Sequence, residues 1–178
     1  RWNTPGGDAS DIVSPSANTL VNSAGSGTGV SIAWTSDNVG NSGNGGGATQ
    51  RLLDGYLNVA SDTPASVTLS GITFPSYDVI LYVGGYYDNA HGYTRLNNNT
   101  GTDRHFFTGS KRPESNFKEP IGSTAAKPWR GNVIRYRNVT GSTCNVKIFR
   151  TASDELGIHA IQIVHATADT DGDGLPDW

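Results

Sequence analysis

Residues 77–83 read YDVILYV, which is the most apolar run in the sequence. The β-branched and aromatic side chains in this run favour a β-strand, and the scarcity of polar positions indicates that both of its faces are covered. A strand of this kind needs hydrogen-bonded neighbours on each side. The run therefore predicts the central strand of a sheet.

Further strands are predicted on both sides of this run. Residues 30–34 and 132–139 alternate apolar and polar side chains, as half-buried strands do. The short turn at residues 140–142 predicts a hairpin. The other predicted strands cover residues 53–59, 66–72, 92–96, 104–107, 144–149 and 158–164. This spacing predicts an all-β chain, an antiparallel β-sandwich or jelly roll of about eight or nine strands.

The composition agrees with strands joined by many turns. The chain has 178 residues, of which 23 are glycine and only 16% are charged. Residues 38–47 are rich in Gly, Asn and Ser and predict a long loop or an irregular edge, whereas Trp34 lies in an alternating strand and is expected in the core. Cys144 is the single cysteine, so no internal disulfide forms, and we expect it to be a small buried side chain. We interpret residues 1–166 as one domain.

The charge is distributed unevenly along the chain. The net charge is −3, yet residues 104–150 carry ten Lys and Arg side chains against Glu114 and Glu119. These cations either lie on the solvent faces of strands or form a positive face for an anionic polymer. Nucleic acid is not expected as a partner, because no recognition helix or RNA-binding signature occurs. Membrane insertion is not expected either, since no stretch approaches the ~20 apolar residues of a membrane span.

The loop after the central strand is the first candidate binding site. It reads GGYYDNAHGY over residues 84–93, so aromatic, carboxylate, amide and imidazole groups lie close together. Aromatic rings stack on the C–H faces of sugars, and polar side chains hydrogen-bond to their hydroxyls. The alternative is that the tyrosines only pack on neighbouring strands. The candidate ligand-binding residues here are Tyr86, Tyr87, Asp88, Asn89, His91 and Tyr93.

A second candidate lies in a long loop that runs from Gly109 to Gly131. It consists of Lys127, Trp129 and Arg130, an aromatic ring flanked by cations on an irregular segment. Such a group suits contact with a sugar, although a tryptophan that caps the end of the sandwich would give the same pattern.

The C-terminal segment, residues 167–178, differs from the rest. It reads TADTDGDGLPDW and lacks core residues, so we interpret it as an acidic linker of calcium-binding type and expect the protein to continue past Trp178. Aspartates at alternate positions followed by glycine match the first half of an EF-hand-type loop, in which carboxylates converge on a calcium ion. The expected calcium ligands are Asp169, Asp171, Asp173, the Leu175 carbonyl and Asp177.

Catalysis is the weaker hypothesis. The four histidines are dispersed, and neither a zinc-protease motif nor a serine-hydrolase motif occurs. A pair of carboxylates for glycoside hydrolysis would meet only in the folded chain, so a small hydrolase or lyase stays open. We expect a non-enzyme.

Two resemblances carry the functional hypothesis. Residues 67–72, 77–85 and 157–164 resemble the β-sandwich domains appended to secreted proteins of polysaccharide-degrading bacteria, which implies a jelly-roll carbohydrate-binding module. The acidic tail resembles the start of a thrombospondin type 3 repeat, which implies calcium and further tethered domains.

The combined expectation is a secreted or cell-surface monomer that binds a neutral or acidic polysaccharide and docks a tethered enzyme on it. A structural or adhesion spacer is the first alternative. It predicts an unremarkable surface around Tyr86 and Trp129.

Overall fold

The computed structural model describes residues 16–17, 20–22, 24–41, 55–85, 87–109, 116–151 and 155–166. These residues form two β-sheets that pack face to face as a β-sandwich, with strands numbered in chain order. The larger sheet has seven strands, in the spatial order β1 (Ser16–Ala17), β2 (Ser31–Thr35), β5 (Ala65–Ser70), β11 (Thr143–Arg150), β7 (His91–Leu96), β8 (Arg104–Phe107) and β9 (Trp129–Arg130). The smaller sheet has five, in the order β10 (Val133–Val139), β6 (Tyr77–Gly85), β12 (Leu156–His165), β4 (Gly55–Val59) and β3 (Asn38–Asn41).

All nine predicted strands are present, so the all-β sandwich is confirmed. Adjacent strands are antiparallel except β8 and β9, which are parallel. Three short strands were not predicted, namely β1, β3 and β9. One turn of 3-10 helix, Thr100–Thr102, links β7 to β8. Among the described residues no helix is both long and apolar enough to cross a membrane.

The strand predicted to be central has neighbours on both sides and is buried. β6 pairs with β10 on one side and β12 on the other, and eight of its nine residues are buried. Its inward residues, which include Val79, Leu81 and Val83, contact apolar side chains from the facing sheet in one core. Trp34 packs against the same core, as predicted.

The predicted hairpin at residues 140–142 is wrong. This turn joins β10 of the five-stranded sheet to β11 of the seven-stranded sheet, so the chain crosses the sandwich there. Gly141 has φ of 98°, and its carbonyl accepts a hydrogen bond from the Tyr77 hydroxyl at 3.0 Å. A hairpin and a crossing both need a short turn with glycine, and only long-range pairing separates them.

Residues 38–41 form a strand at the edge of the five-stranded sheet, where β3 pairs only with β4. This position agrees with the irregular edge predicted for the start of the glycine-rich segment. The side chain of Tyr56 on β4 occupies the space above Gly40, where any Cβ would overlap the tyrosine ring. Glycine therefore lets a bulky ring lie flat on an edge strand.

A buried ion pair fixes the outer edge of the smaller sheet. Arg135 on β10 donates to the Asp78 carboxylate on β6 at 2.8 Å, and both side chains are almost fully buried. The other oxygen of Asp78 accepts the backbone N–H of Asn138, whose φ is 55°. This contact holds the irregularity in the pairing of β10 with β6 between Tyr136 and Val139.

Candidate binding site

The structure brings the two predicted loops to one corner of the seven-stranded sheet. The turn at residues 87–90 enters β7, and its Ala90 exchanges two hydrogen bonds with Thr108, just after β8. Gly131, just after β9, donates its N–H to the Phe107 carbonyl at 3.0 Å. The ends of β7, β8 and β9 therefore lie side by side. We call the group formed by Tyr87, Asp88, Asn89, His91, Lys127, Trp129 and Arg130 the binding corner; Tyr86 lies outside the described residues.

Two aromatic rings at this corner are exposed. Tyr87 is 45% exposed and Trp129 is 48% exposed. The ammonium of Lys127 lies 5.7 Å from the centroid of the Trp129 ring, a cation–π distance. The backbone N–H of Trp129 donates to the Ser123 hydroxyl at 2.9 Å, so the backbone of this residue is anchored. Trp129 thus has an anchored backbone at a sheet edge, and about half of its surface is open to solvent.

Arg130 is positioned by a glycine. It lies directly across from Phe107 in the β8–β9 pairing, and its guanidinium lies against Gly109. A methyl group at residue 109 would overlap that guanidinium. The head group of Arg130 can therefore occupy this space because residue 109 has no side chain.

The polar residues of the turn are presented to solvent. Asp88 and Asn89 are both exposed, and Asn89 has φ of 57°, a left-handed conformation that Asn tolerates better than most residues. His91 begins β7, is half-buried, and stacks on Phe107 with ring centroids 5.4 Å apart and planes 17° apart. The turn therefore exposes a carboxylate and an amide next to the start of β7, where the His91 imidazole lies on the outer face of the sheet.

Tyr93 lies on the same face of the sheet as His91, further along β7, and both faces of its ring have partners. Phe149 on β11 stacks on it at 4.6 Å with planes 6° apart, and His105 on β8 lies at 5.2 Å. We call these three side chains, Phe149, Tyr93 and His105, the aromatic row. The rings of this row pack against one another across β11, β7 and β8.

Several residues next to the site were not predicted from the sequence. Phe107 and Gly109 support the corner, and Arg95 and Asp103 form an ion pair at 2.7 Å beside the aromatic row. The hydrogen bond to Asp103 raises the pKa of Arg95. The alternation of residues 91–95 is enough to predict that Arg95 and Tyr93 share a face. The position of Phe149 beside them could not be predicted, because it depends on the pairing of β11 with β7, which are far apart in sequence.

The expected calcium ligands, Asp169 to Asp177, all lie outside the described residues. Within the described ranges, no group of three or more His, Cys, Asp or Glu side chains is placed to hold a metal ion. Cys144 is fully buried, and burial raises the pKa of its thiol to about 12. It is therefore a protonated core residue at neutral pH.

Comparison with known proteins gives little beyond the fold. No protein-family model matches the sequence, and no curated protein matches it either. Among solved structures, the fold is similar to that of the carbohydrate-binding module TmCBM61, solved in complex with β-1,4-galactotriose. The two share 12% identity over 75% of this chain and 88% of that chain, with a TM-score of 0.40. A likeness at this level assigns neither a ligand nor a function to the chain.

Proposed function

We propose that this domain is a non-catalytic carbohydrate-binding module that binds a polysaccharide at the binding corner. The observation that carries the proposal is the presence of two exposed rings, Tyr87 and Trp129, at the corner where the ends of β7, β8 and β9 meet. The polar side chains of residues 88, 89 and 130 are exposed at the same corner. This is the combination of stacking surfaces and hydrogen-bonding groups that sugars require.

The exposure of the rings supports ligand binding over a structural role. A tryptophan that caps the core would be covered by neighbouring side chains, whereas Trp129 leaves about half of its surface in water. The removal of a large aromatic side chain from water lowers the free energy. A ring anchored at its backbone but open on its surface gains that free energy when a sugar covers it.

The charges at the corner favour an acidic polymer over a neutral one. Lys127 lies over the Trp129 ring and Arg130 follows that residue on β9, while Asp88 is the one carboxylate among the corner residues. Other cations of the basic segment are paired elsewhere: Arg135 with Asp78, Arg137 with Glu119, and Arg150 with Asp62. At the corner, two cations therefore stand against the single carboxylate of Asp88.

The biological role that follows is docking. Single sugar-binding modules bind modestly, and tethering raises the effective concentration of a linked enzyme at its substrate. We place the domain outside the cell, where polysaccharides are its accessible partners. The role as a spacer is the outcome if no polymer binds.

Affinity electrophoresis against neutral and acidic polysaccharides tests this function. We expect retardation on at least one polymer and its loss in the Trp129→Ala variant. Phe117→Ala is the matched control, because Phe117 is 43% exposed but packs on Tyr82 of the five-stranded sheet. Retardation lost equally in both variants, or absent on every polymer, would contradict the proposal.

We also propose that the acidic tail binds calcium through the oxygen atoms of residues 169–177. The support is the alternating aspartate pattern, since calcium prefers six to eight oxygen ligands. Calorimetric titration of the chain with calcium should give a binding signal that Asp171→Asn weakens by at least about tenfold. Equal binding signals from the unmodified chain and from Asp171→Asn would argue against this site.

A further inference from the structure

The outer face of the seven-stranded sheet carries a polar row beside the aromatic row. Strand pairing aligns residues 35, 66, 147 and 95 across β2, β5, β11 and β7, and Asp103 follows at the start of β8. Neighbouring residues on these strands, such as Val146 and Thr94, are fully buried and point inward. The polar row therefore points outward and consists of Thr35, Ser66, Lys147, Arg95 and Asp103.

Arg95 is held rigidly in this row. Its Nε and Nη2 atoms donate to the two carboxylate oxygens of Asp103 at 2.7 and 2.9 Å. Its guanidinium carbon lies 5.4 Å from the ring centroid of Tyr93 and 5.1 Å from that of Phe149. The Nη1 group has no hydrogen-bond partner in the described parts of the chain. Arg95 thus presents an unused pair of donors in a fixed position.

Lys147 lies directly opposite Arg95 in the pairing of β11 with β7. Like charges at directly opposed positions of an antiparallel pair are destabilising. Asp103 is engaged by Arg95, and Lys147 forms no ion pair with any residue that the structure describes. Two cations therefore lie at opposed positions on the outer face of the sheet, and the nearby carboxylate of Asp103 pairs with Arg95.

We propose that Lys147 on β11 and Arg95 on β7 together bind a carboxylate or sulfate group of the polysaccharide. This inference rests on the proposed function and names its substrate class. An anion between the two cations would relieve their repulsion. β9 and β11 are separated by three strand spacings, about 14 Å, so a single polymer chain of several sugars would reach both sites.

The first test compares polymers that differ in charge. Affinities of the intact chain and of Lys147→Gln are measured by calorimetry for polygalacturonate, dextran sulfate and neutral dextran, at low and moderate salt. We expect Lys147→Gln to weaken binding of a charged polymer about fivefold at low salt, less at moderate salt, and to leave neutral binding unchanged. Polygalacturonate and dextran sulfate separate a carboxylate from a sulfate as the bound group.

Arg137→Gln is the matched control, because it removes one exposed cation from the edge strand β10 of the other sheet. An equal loss of affinity for charged polymers in both variants would show that only the net charge matters, and would overturn the inference. Binding confined to neutral polymers would also overturn it, while the proposed function would stand. Absence of binding to every polymer would overturn both.

A second measurement does not depend on any ligand. Because Lys147 opposes Arg95, Lys147→Gln should raise Tm at low salt by about 1 °C in the free protein. A lower Tm would show that Lys147 stabilises the sheet, and the pair would then be structural. A higher Tm together with weaker binding of charged polymers is the result that the inference requires.

Discussion

The binding corner and the aromatic row contain similar residues on one sheet, but their rings are packed in opposite ways. At the corner, Tyr87 and Trp129 leave nearly half of their surface exposed. In the row, Phe149 and His105 cover the faces of Tyr93. The first arrangement leaves ring surface exposed, and the second uses ring faces to hold strands together. An aromatic residue of the sheet is therefore evidence for a binding site only when a large part of its surface is exposed.

Removal of both exposed rings should give the largest effect. We expect the double variant Tyr87→Ala/Trp129→Ala to lose about 3 kcal/mol of binding free energy, more than a hundredfold in affinity, because central aromatic side chains dominate such contacts. The stability should change by less than about 1 kcal/mol, since both rings are exposed. Calorimetric titration and chemical denaturation measure the two quantities.

The matched double variant is Phe74→Ala/Phe117→Ala, which removes two rings that are 41% and 43% exposed elsewhere. Its affinity should equal that of the unmodified chain. If both double variants lose affinity alike, exposure alone does not identify the site.

Tyr93→Ala should show the reverse behaviour. Loss of the stack with Phe149 and of the contact with His105 should lower the free energy of unfolding by about 2 kcal/mol. The affinity for a neutral polymer should stay within about twofold, because the faces of this ring are not available to a sugar. Urea denaturation gives the first quantity, and Tyr93→Phe, which keeps the stack, is the control.

The interpretation of the two groups of rings would be reversed if Tyr93→Ala lost more affinity for a neutral polymer than Trp129→Ala. The aromatic row would then be the binding surface. The exposed rings at the corner would be incidental.

The sequence predicts the fold much better than the packing of the site. Period-two alternation is local, so the strands around Trp34, Tyr93 and Phe149 could be placed without knowledge of their neighbours. Which strands pair is a long-range property: Tyr93 contacts Phe149, which lies 56 positions further along the chain. For the same reason the turn at 140–142 was predicted as a hairpin but crosses between the sheets.

The candidate site was partly predictable because its residues are concentrated in two loops. Gly and Asn mark such loops, and aromatic or charged side chains within them are informative. The convergence of residues 87–91 with residues 127–130 could not be predicted, since it depends on the short parallel contact between β8 and β9. The support of Arg130 by Gly109 also appears only in three dimensions.

Gly109→Ala tests whether the corner depends on that support, with a smaller expected effect. The added methyl group would displace the Arg130 guanidinium, and we expect affinity for an acidic polymer to fall about fivefold. The double variant Gly109→Ala/Arg130→Ala should bind no more weakly than Arg130→Ala alone, because both changes remove one interaction. Additive losses in this cycle would show that Gly109 acts separately from Arg130.

The smallest expected effect concerns the turn itself. Asn89 has φ of 57°, a conformation that glycine adopts without strain, so Asn89→Gly removes the amide and keeps the backbone. We expect stability to change by less than about 0.5 kcal/mol and affinity to fall about threefold, as for one exposed hydrogen bond. Asn98→Gly is the control, because Asn98 has the same φ of 57° in the turn after β7. Since the two substitutions alter the unfolded chain alike, a loss of affinity confined to Asn89→Gly would assign that amide to the ligand, and unchanged affinity would restrict the corner to its rings and charges.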